Sequence, residues 1–238
     1  MISDVHSNLE ALEAVLRALE GVDEIVCCGD IVGYGANPNA CCDIIRSMGI
    51  TCVAGNHDLA CTAALDATWF SEEARGVAMW TAENLSRVNF DFLAWLPTRI
   101  VRADYEIMHG LPEDVTFYIM TAPDASVAFD EMKRPLGFCG HTHVATYFVR
   151  DADSPFCSGK AASIGRELQL EAHESLLVNP GSVGQPRDGD SRASYAIYYP
   201  EEKRIEIKRI EYDVFMAQEK IREARLPEFF ADRLEIGR

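Results

Sequence analysis

The chain has 238 residues, 48% of them hydrophobic and 25% charged. That profile belongs to a globular protein long enough to bury a sizeable core. Its 22 basic residues face 38 acidic ones, a formal net charge of −16, and such a surface argues against a nucleic-acid scaffold or an anionic membrane surface.

SNLEALEAVLRALEG, residues 7–21, reads as a helix with a Ser7–Glu10 capping box and a stripe of Leu9, Leu12, Leu16 and Leu19. EIVCCGD (24–30) is too short for a helix and ends at Gly-Asp, so it is expected to be a buried strand. NPNACCDIIRSMG (37–49) predicts a second helix, capped by Asn37, with Pro38 first and an inner face of Cys41, Ile44, Ile45 and Met48. ITCVAGNHD (50–58) is a strand running into a loop. Residues 59–96 read as helices, with Ser71 as a cap and Pro97 closing the block. Strands return at TRIVRAD and YEIMHG, and a helix over 124–133 leads to the strands LGFCG and HVATYFVR. Residues 151–173 give no clear pattern. ESLLVNPG is a strand, and ASYAIYY with RIEIKRIEY forms a hairpin across PEEK. Ile205 and Ile207 alternate but Ile210 and Tyr212 are out of phase, which predicts a bulge near Lys208 or Arg209. A helix from Asp213 and a short tail end the chain.

This order puts parallel βα units first and antiparallel strands last. The expectation is a single α/β domain of two sheets packed face to face and covered by helices. Apolar runs are too short to cross a membrane, and no signal peptide is evident. Eight cysteines, Cys27, Cys28, Cys41, Cys42, Cys52, Cys61, Cys139 and Cys157, form no Cys-x-x-Cys pair. They read as small buried hydrophobes in a reducing, cytoplasmic compartment.

SDVHSN places Asp4 and His6 two residues apart at a strand end, so both side chains reach the same side. A carboxylate and an imidazole converging there suit a transition metal. The alternative is a capped helix start with two incidental polar residues. Five of the six histidines, His6, His57, His109, His141 and His143, lie at strand ends or in the loops that follow. Ligands bind outside the carboxyl ends of strands in open α/β sheets, so SDVHSN, CCGD, AGNHD, MHG and CGHTH would reach one edge. Each stretch alone has an ordinary surface or capping reading; the five together favour a common site. His173, in a polar stretch, reads as a surface residue.

The set D-x-H, GD, GNHD, MHG and GHTH resembles the calcineurin-like metallophosphoesterase superfamily. GDIVGYGANPN and NPGSVGQPRDGD bring it nearer to the small prokaryotic phosphodiesterase-type members. The match covers nearly the whole chain. It implies a four-layer αββα sandwich of two mixed β-sheets flanked by helices. It also implies two divalent metal ions: manganese or iron in the cell, with zinc, cobalt or nickel also accepted by such donors. By the resemblance, Asp4, His6 and His143 bind one ion, Asn56, His109 and His141 the other, and Asp30 bridges both. A hydroxide held between the ions then attacks phosphorus.

His57 is implied to contact the phosphoryl group and protonate the leaving group. Asp58, beside it, either keeps that imidazole charged or caps the following helix. Asn179, Ser182 and Arg187 of the rigid Gly/Pro loop are candidate substrate contacts, as are Tyr34 and Asn37. Arg187 has an alternative, pairing with Asp188 or Asp190. The Asp-Arg pair that protein phosphatases of the superfamily carry after GD is replaced by Gly33 and Tyr34, which argues against that subgroup. Ser7 replaces the usual Gly, and only Met1 and Ile2 precede the first motif, where relatives have a longer central strand. A stunted strand there would weaken the position of Asp4 and His6.

The expected function is hydrolysis of a phosphodiester or phosphomonoester, with nucleotides and dinucleoside polyphosphates among the substrates of the family. The partner is a small phosphorylated substrate rather than a membrane or a nucleic acid. The helices of 59–96 would roof the site or merely cover a sheet. A protein-interaction scaffold of the same fold is the alternative; the scaffold member lacks part of the catalytic set, whereas His57 is present here.

Overall fold

Met1 and Ile2 run through the middle of the first sheet. The computed structural model of the protein describes residues 1–238 except 152, 155, 162–164, 166, 172 and 173; His173 therefore lies outside the described residues. The first part comprises α1 (Leu9–Ala18), β1 (Val26–Cys27), α2 (Pro38–Ser47), β2 (Thr51–Cys52), α3 (Asn56–Cys61), α4 (Glu72–Asn84) and α5 (Arg87–Ala94). Then follow β3 (Arg99–Val101), β4 (Glu106–Met108), α6 (Ala122–Glu131), β5 (Leu136–Phe138), β6 (Thr146–Asp151), β7 (Cys157–Ala161), β8 (Glu167–Gln169) and β9 (Glu174–Asn179). The chain closes with β10 (Ala193–Tyr199), β11 (Arg204–Ile210), α7 (Val214–Glu223) and α8 (Glu228–Ile236).

β1 and β2 pair in parallel, and Ile2 bridges in parallel to Cys27. On its other side Met1 exchanges backbone hydrogen bonds of 2.7 and 2.9 Å with Ala196 of β10. The parallel pair and the antiparallel β10-β11-β8 unit thus join through two residues into one sheet. The second sheet has the order β3-β4-β5-β9-β6-β7, parallel at β4-β5-β9 and antiparallel at both flanks.

Alternation along each strand feeds two cores. Val26 and Cys28 point between the sheets with Ile107, Leu136, Phe138, Val178, Ile205 and Ile207. Cys27 and Ile2 point the other way, toward Leu12 and Val15 of α1 and Cys41 and Ile45 of α2. Beyond the second sheet, Met108 and Leu177 meet Ala125, Ala128 and Phe129 of α6. The layers are helices, sheet, sheet and α6, the four-layer αββα sandwich. Apolar residues on both faces explain why the inner strands read as continuous hydrophobic runs.

Five sequence expectations change in the fold. Asn8, not Ser7, caps α1, its Oδ1 accepting from the Ala11 N–H at 3.1 Å, because Ser7 is itself in the left-handed region at φ 55°. Met48 is 54% exposed, since α2 ends at Ser47 and turns Cys42 inward beside Cys41 and Ile45. No bulge interrupts β11: its register runs unbroken from Ala193↔Ile210 to Tyr199↔Arg204. Ile210 is out of phase because it packs with the helix-side core while Ile205 and Ile207 pack between the sheets. The patternless stretch 151–173 contains β7 and β8. The C-terminal tail is helix α8, which buries Phe230, Ala231 and Leu234 against α7.

The face assignment of β11 is testable. Ile207 is fully buried, so Ile207→Ala should cost about 2–5 kcal/mol in denaturant unfolding. A loss below about 1 kcal/mol would contradict its place between the sheets.

Candidate metal centre

Every candidate ligand follows a strand end of the two sheets. Asp4 and His6 follow Met1–Ile2, Asp30 follows β1, Asn56 opens α3 after β2, His109 follows β4, and His141 and His143 follow β5. All seven are at most 2% exposed. Five of them have positive φ: Asp4 (53°), His6 (49°), Asp30 (54°), His141 (70°) and His143 (61°). That region disfavours residues with a Cβ by about 1–2 kcal/mol each. Such strain persists only where the surrounding structure enforces it.

Two clusters share Asp30. Ligand atoms of Asp4, His6, Asp30 and His143 lie within 4.8 Å of one another, and so do those of Asp30, His109 and His141. Asp30 Oδ2 is 3.5 Å from His6 Nε2 and 3.2 Å from His109 Nε2. Asn56 Oδ1 is 3.0 Å from His109 Nε2. The other Asp30 oxygen, Oδ1, accepts from the His57 backbone N–H at 2.9 Å. Oδ2 itself is buried with no hydrogen-bond partner. A buried, unpartnered carboxylate oxygen is costly unless something charged meets it. Gly55 lies so close that a Cβ there would fall 2.0 Å from Asp30 Oδ1.

Each imidazole is oriented from behind by a backbone carbonyl. His6 Nδ1 meets Val32 O at 3.0 Å, His109 Nδ1 meets Cys28 O at 2.8 Å, and His143 Nδ1 meets Gln185 O at 2.7 Å. His141 is turned round, with Nε2 on Thr116 O at 3.0 Å. Holding one ring nitrogen as the donor leaves the other with a lone pair aimed into the site. Burial keeps His6 and His143 well below the usual imidazole range and His141 at about 3. These rings are neutral and ready to ligate. Burial also opposes a charge on His109, but the Asp30 carboxylate beside it outweighs burial and raises it to about 10. Asp30 would be raised by burial, yet His109 and His57 hold it far below the carboxylate range. A shared carboxylate oxygen flanked by imidazoles, the Asn56 amide oxygen and the Asp4 carboxylate fits a pair of divalent cations, for which His109 would give up its proton.

A family model for the calcineurin-like phosphoesterase superfamily domain matches residues 1–203. The uncharacterized protein MJ0912 of Methanocaldococcus jannaschii is 38% identical over 246 aligned positions, covering 100% of this chain and 97% of that one. A metallophosphoesterase from Sphaerobacter thermophilus superposes with a TM-score of 0.89 at 40% identity, covering 100% of this chain and 97% of that one. The chain belongs to the calcineurin-like phosphoesterase superfamily. It is a metal-dependent phosphoester hydrolase. The hypothetical protein PH1004 of Pyrococcus horikoshii shares the fold at 16% identity, with a TM-score of 0.79 and coverage of 100% of this chain and 97% of that one.

The remaining predicted residues of this phosphoesterase fall into two groups. His57 and Tyr34 line the centre, with ring centroids 4.4 Å apart and each within 5.0 Å of His6. His57 Nδ1 is buried without a partner, and burial lowers the ring to about 4. Gly33, at φ 99°, leaves room for it: a Cβ there would fall 2.6 Å from His57 Nδ1. Arg187 also faces the centre. Asp188 pairs with Arg209 and Asp190 with Arg192, so neither takes the Arg187 guanidinium, which lies 5.5 Å from the Tyr34 ring.

In the second group Asp58, Asn179 and Ser182 are turned into the framework. Asp58 accepts from the Gly55 N–H at 3.0 Å and the Val32 N–H at 3.1 Å, so both its oxygens are held by backbone. The Asn179 amide is committed to Gly140 O, Thr142 Oγ1 and the Gly181 N–H. Ser182 Oγ donates to Asp4 O at 2.8 Å. Asn37 opens α2 without a side-chain cap bond.

The sequence reading passed over three contributors. Tyr118 stacks on His141 at 3.8 Å, Phe70 packs on His57 at 4.7 Å, and Phe230 packs on Tyr34 at 4.8 Å. None sits in a motif, and only the aromatic character of YIM near the MHG strand hinted at the first. Among the described residues, no helix is long and apolar enough to cross a membrane. All eight cysteines are free thiols.

Asp30→Ala provides the test of the shared oxygen. Elemental analysis of the purified variant should find neither ion retained. Two ions per chain in that variant would contradict a shared carboxylate.

Proposed function

We propose that Asp4, His6, His143 and Asp30 hold one divalent ion and that Asn56, His109, His141 and Asp30 hold the other. The observation that carries this reading is Asp30 Oδ2, buried and unpartnered where the two donor sets meet. When bound, such ions polarise phosphoryl oxygens and lower the pKa of water. Imidazole, amide and carboxylate donors favour manganese or iron in the cell and admit zinc, cobalt or nickel. The substrate is a small phosphodiester or phosphomonoester, and the free cysteines, all but Cys157 buried, suit a reducing cytoplasm.

His57 is the acid of the reaction. Its ring borders the first cluster, and its backbone N–H fixes the bridging carboxylate. Protonating the leaving oxygen from this ring requires a proton that burial alone disfavours, so the bound phosphoester must supply the counter-charge. Asp58 is a positioning residue. It grips Val32, whose carbonyl orients His6, and it caps the helix that carries His57. Arg187 and Tyr34 bind the phosphoryl oxygens, the guanidinium by charge-assisted hydrogen bonds. Asn179 serves binding by fixing the turn that bears His141 and His143. The block 59–96 forms part of a single domain and roofs the centre, a role supported by Phe70 on the His57 ring.

The test is hydrolysis of bis-p-nitrophenyl phosphate and p-nitrophenyl phosphate by the manganese-loaded chain. Turnover that a chelator abolishes is expected, and the preferred ester names the substrate class. No turnover with both ions bound would favour the scaffold reading. His57→Ala should keep its metal and lose roughly 10²–10⁴ in kcat, the range for one acid–base group. Loss of metal from that variant would contradict the assignment.

A further inference from the structure

The chain is strongly acidic, yet two arginines, Arg187 and Arg233, have no aspartate or glutamate partner among the described residues. Arg187 donates to Gln185 Oε1 at 2.9 Å, lies over Tyr34, and leaves its buried Nε unpartnered. Arg233, on α8, donates to the main-chain oxygen of Arg238 and lies 4.8 Å from the Phe229 ring. Four acidic residues close to them in the sequence are engaged elsewhere. Asp188 pairs with Arg209, Asp190 with Arg192, and both Glu228 and Asp232 with Arg222.

The fold brings the two guanidinium groups to one wall. Phe230, one turn before Arg233 on α8, packs on Tyr34, and Arg187 covers the same Tyr34 ring. The Gly189 N–H donates to Gly237 O at 2.9 Å, which ties the end of α8 to the loop that carries Arg187. Burial and the nearby charge of Arg187 together bring Arg233 down to about 10. Two half-buried like charges repel each other unless an anion lies between or beside them. Arginine forks suit phosphate oxygens above other anions of that size.

We propose that Arg233, with Arg187, binds a second phosphate group of the substrate, beyond the one that is cleaved. This rests on the phosphoesterase reading above and makes the substrate class a doubly phosphorylated small molecule rather than a simple monoester. Arg187 reaches both phosphates, because it lies over Tyr34, whose ring is 4.6 Å from His6 of the centre and 4.8 Å from Phe230 of α8. Arg233 serves the second phosphate alone.

Calorimetric titration of the metal-loaded chain with thymidine 5′-monophosphate, 5′-diphosphate and 3′,5′-bisphosphate tests this. The last two place the second phosphate next to the first or one sugar away. One of them should bind about tenfold or more tighter than the monophosphate, as charge-assisted hydrogen bonds provide. Arg233→Gln should remove that advantage while Arg233→Lys keeps part of it. Competition with p-nitrophenyl phosphate turnover places the binding at the centre. Equal binding of all three by the wild type overturns the proposal, even if the glutamine variant fails to fold. So does an advantage that survives in Arg233→Gln. Because titration needs no turnover, an inactive but anion-binding chain would fault the phosphoesterase reading and not this one.

Discussion

The arrangement depends on one carboxylate. Asp30 fixes one oxygen to the His57 backbone N–H and turns the other, buried and unpartnered, toward two sets of donors. Burial disfavours its negative charge, and the neighbouring His109 offsets that cost. With cations, it offsets the repulsion that would otherwise separate them. The same carboxylate positions the start of α3, so the metal centre and His57 cannot shift independently.

The fold serves this carboxylate in two ways. Strand ends of both sheets converge on one edge, and backbone carbonyls of Val32, Cys28 and Gln185 aim three imidazoles inward. Left-handed backbone at Asp4, His6, Asp30, His141 and His143 costs stability. The close-packed sheets on either side, joined through Met1 and Ile2, offset that cost.

Much of this was legible in the sequence. The Asp-x-His, Gly-Asp and His-x-His spacings follow strand ends, and the period-two alternation that marks strands also dictates which side chains reach one edge. Other features were not, because they arise from tertiary placement. Positive φ at five candidate ligands leaves no trace in residues that are not glycine. Ile210 looked misplaced because β11 is covered on both faces, where alternation no longer separates buried from exposed. Asp58 could be placed next to His57 by sequence, but only the fold turns its oxygens to Gly55 and Val32. Helix α8 carries no motif, and its part in the site comes from Phe230 meeting Tyr34 across more than half the chain.

The central claim is that one oxygen serves two ions. Anomalous diffraction from crystals grown with manganese reads this directly. Two manganese peaks about 3.5–4 Å apart are expected, with Asp30 Oδ2 in contact with both. A single peak, or two peaks with Asp30 reaching only one, would contradict it.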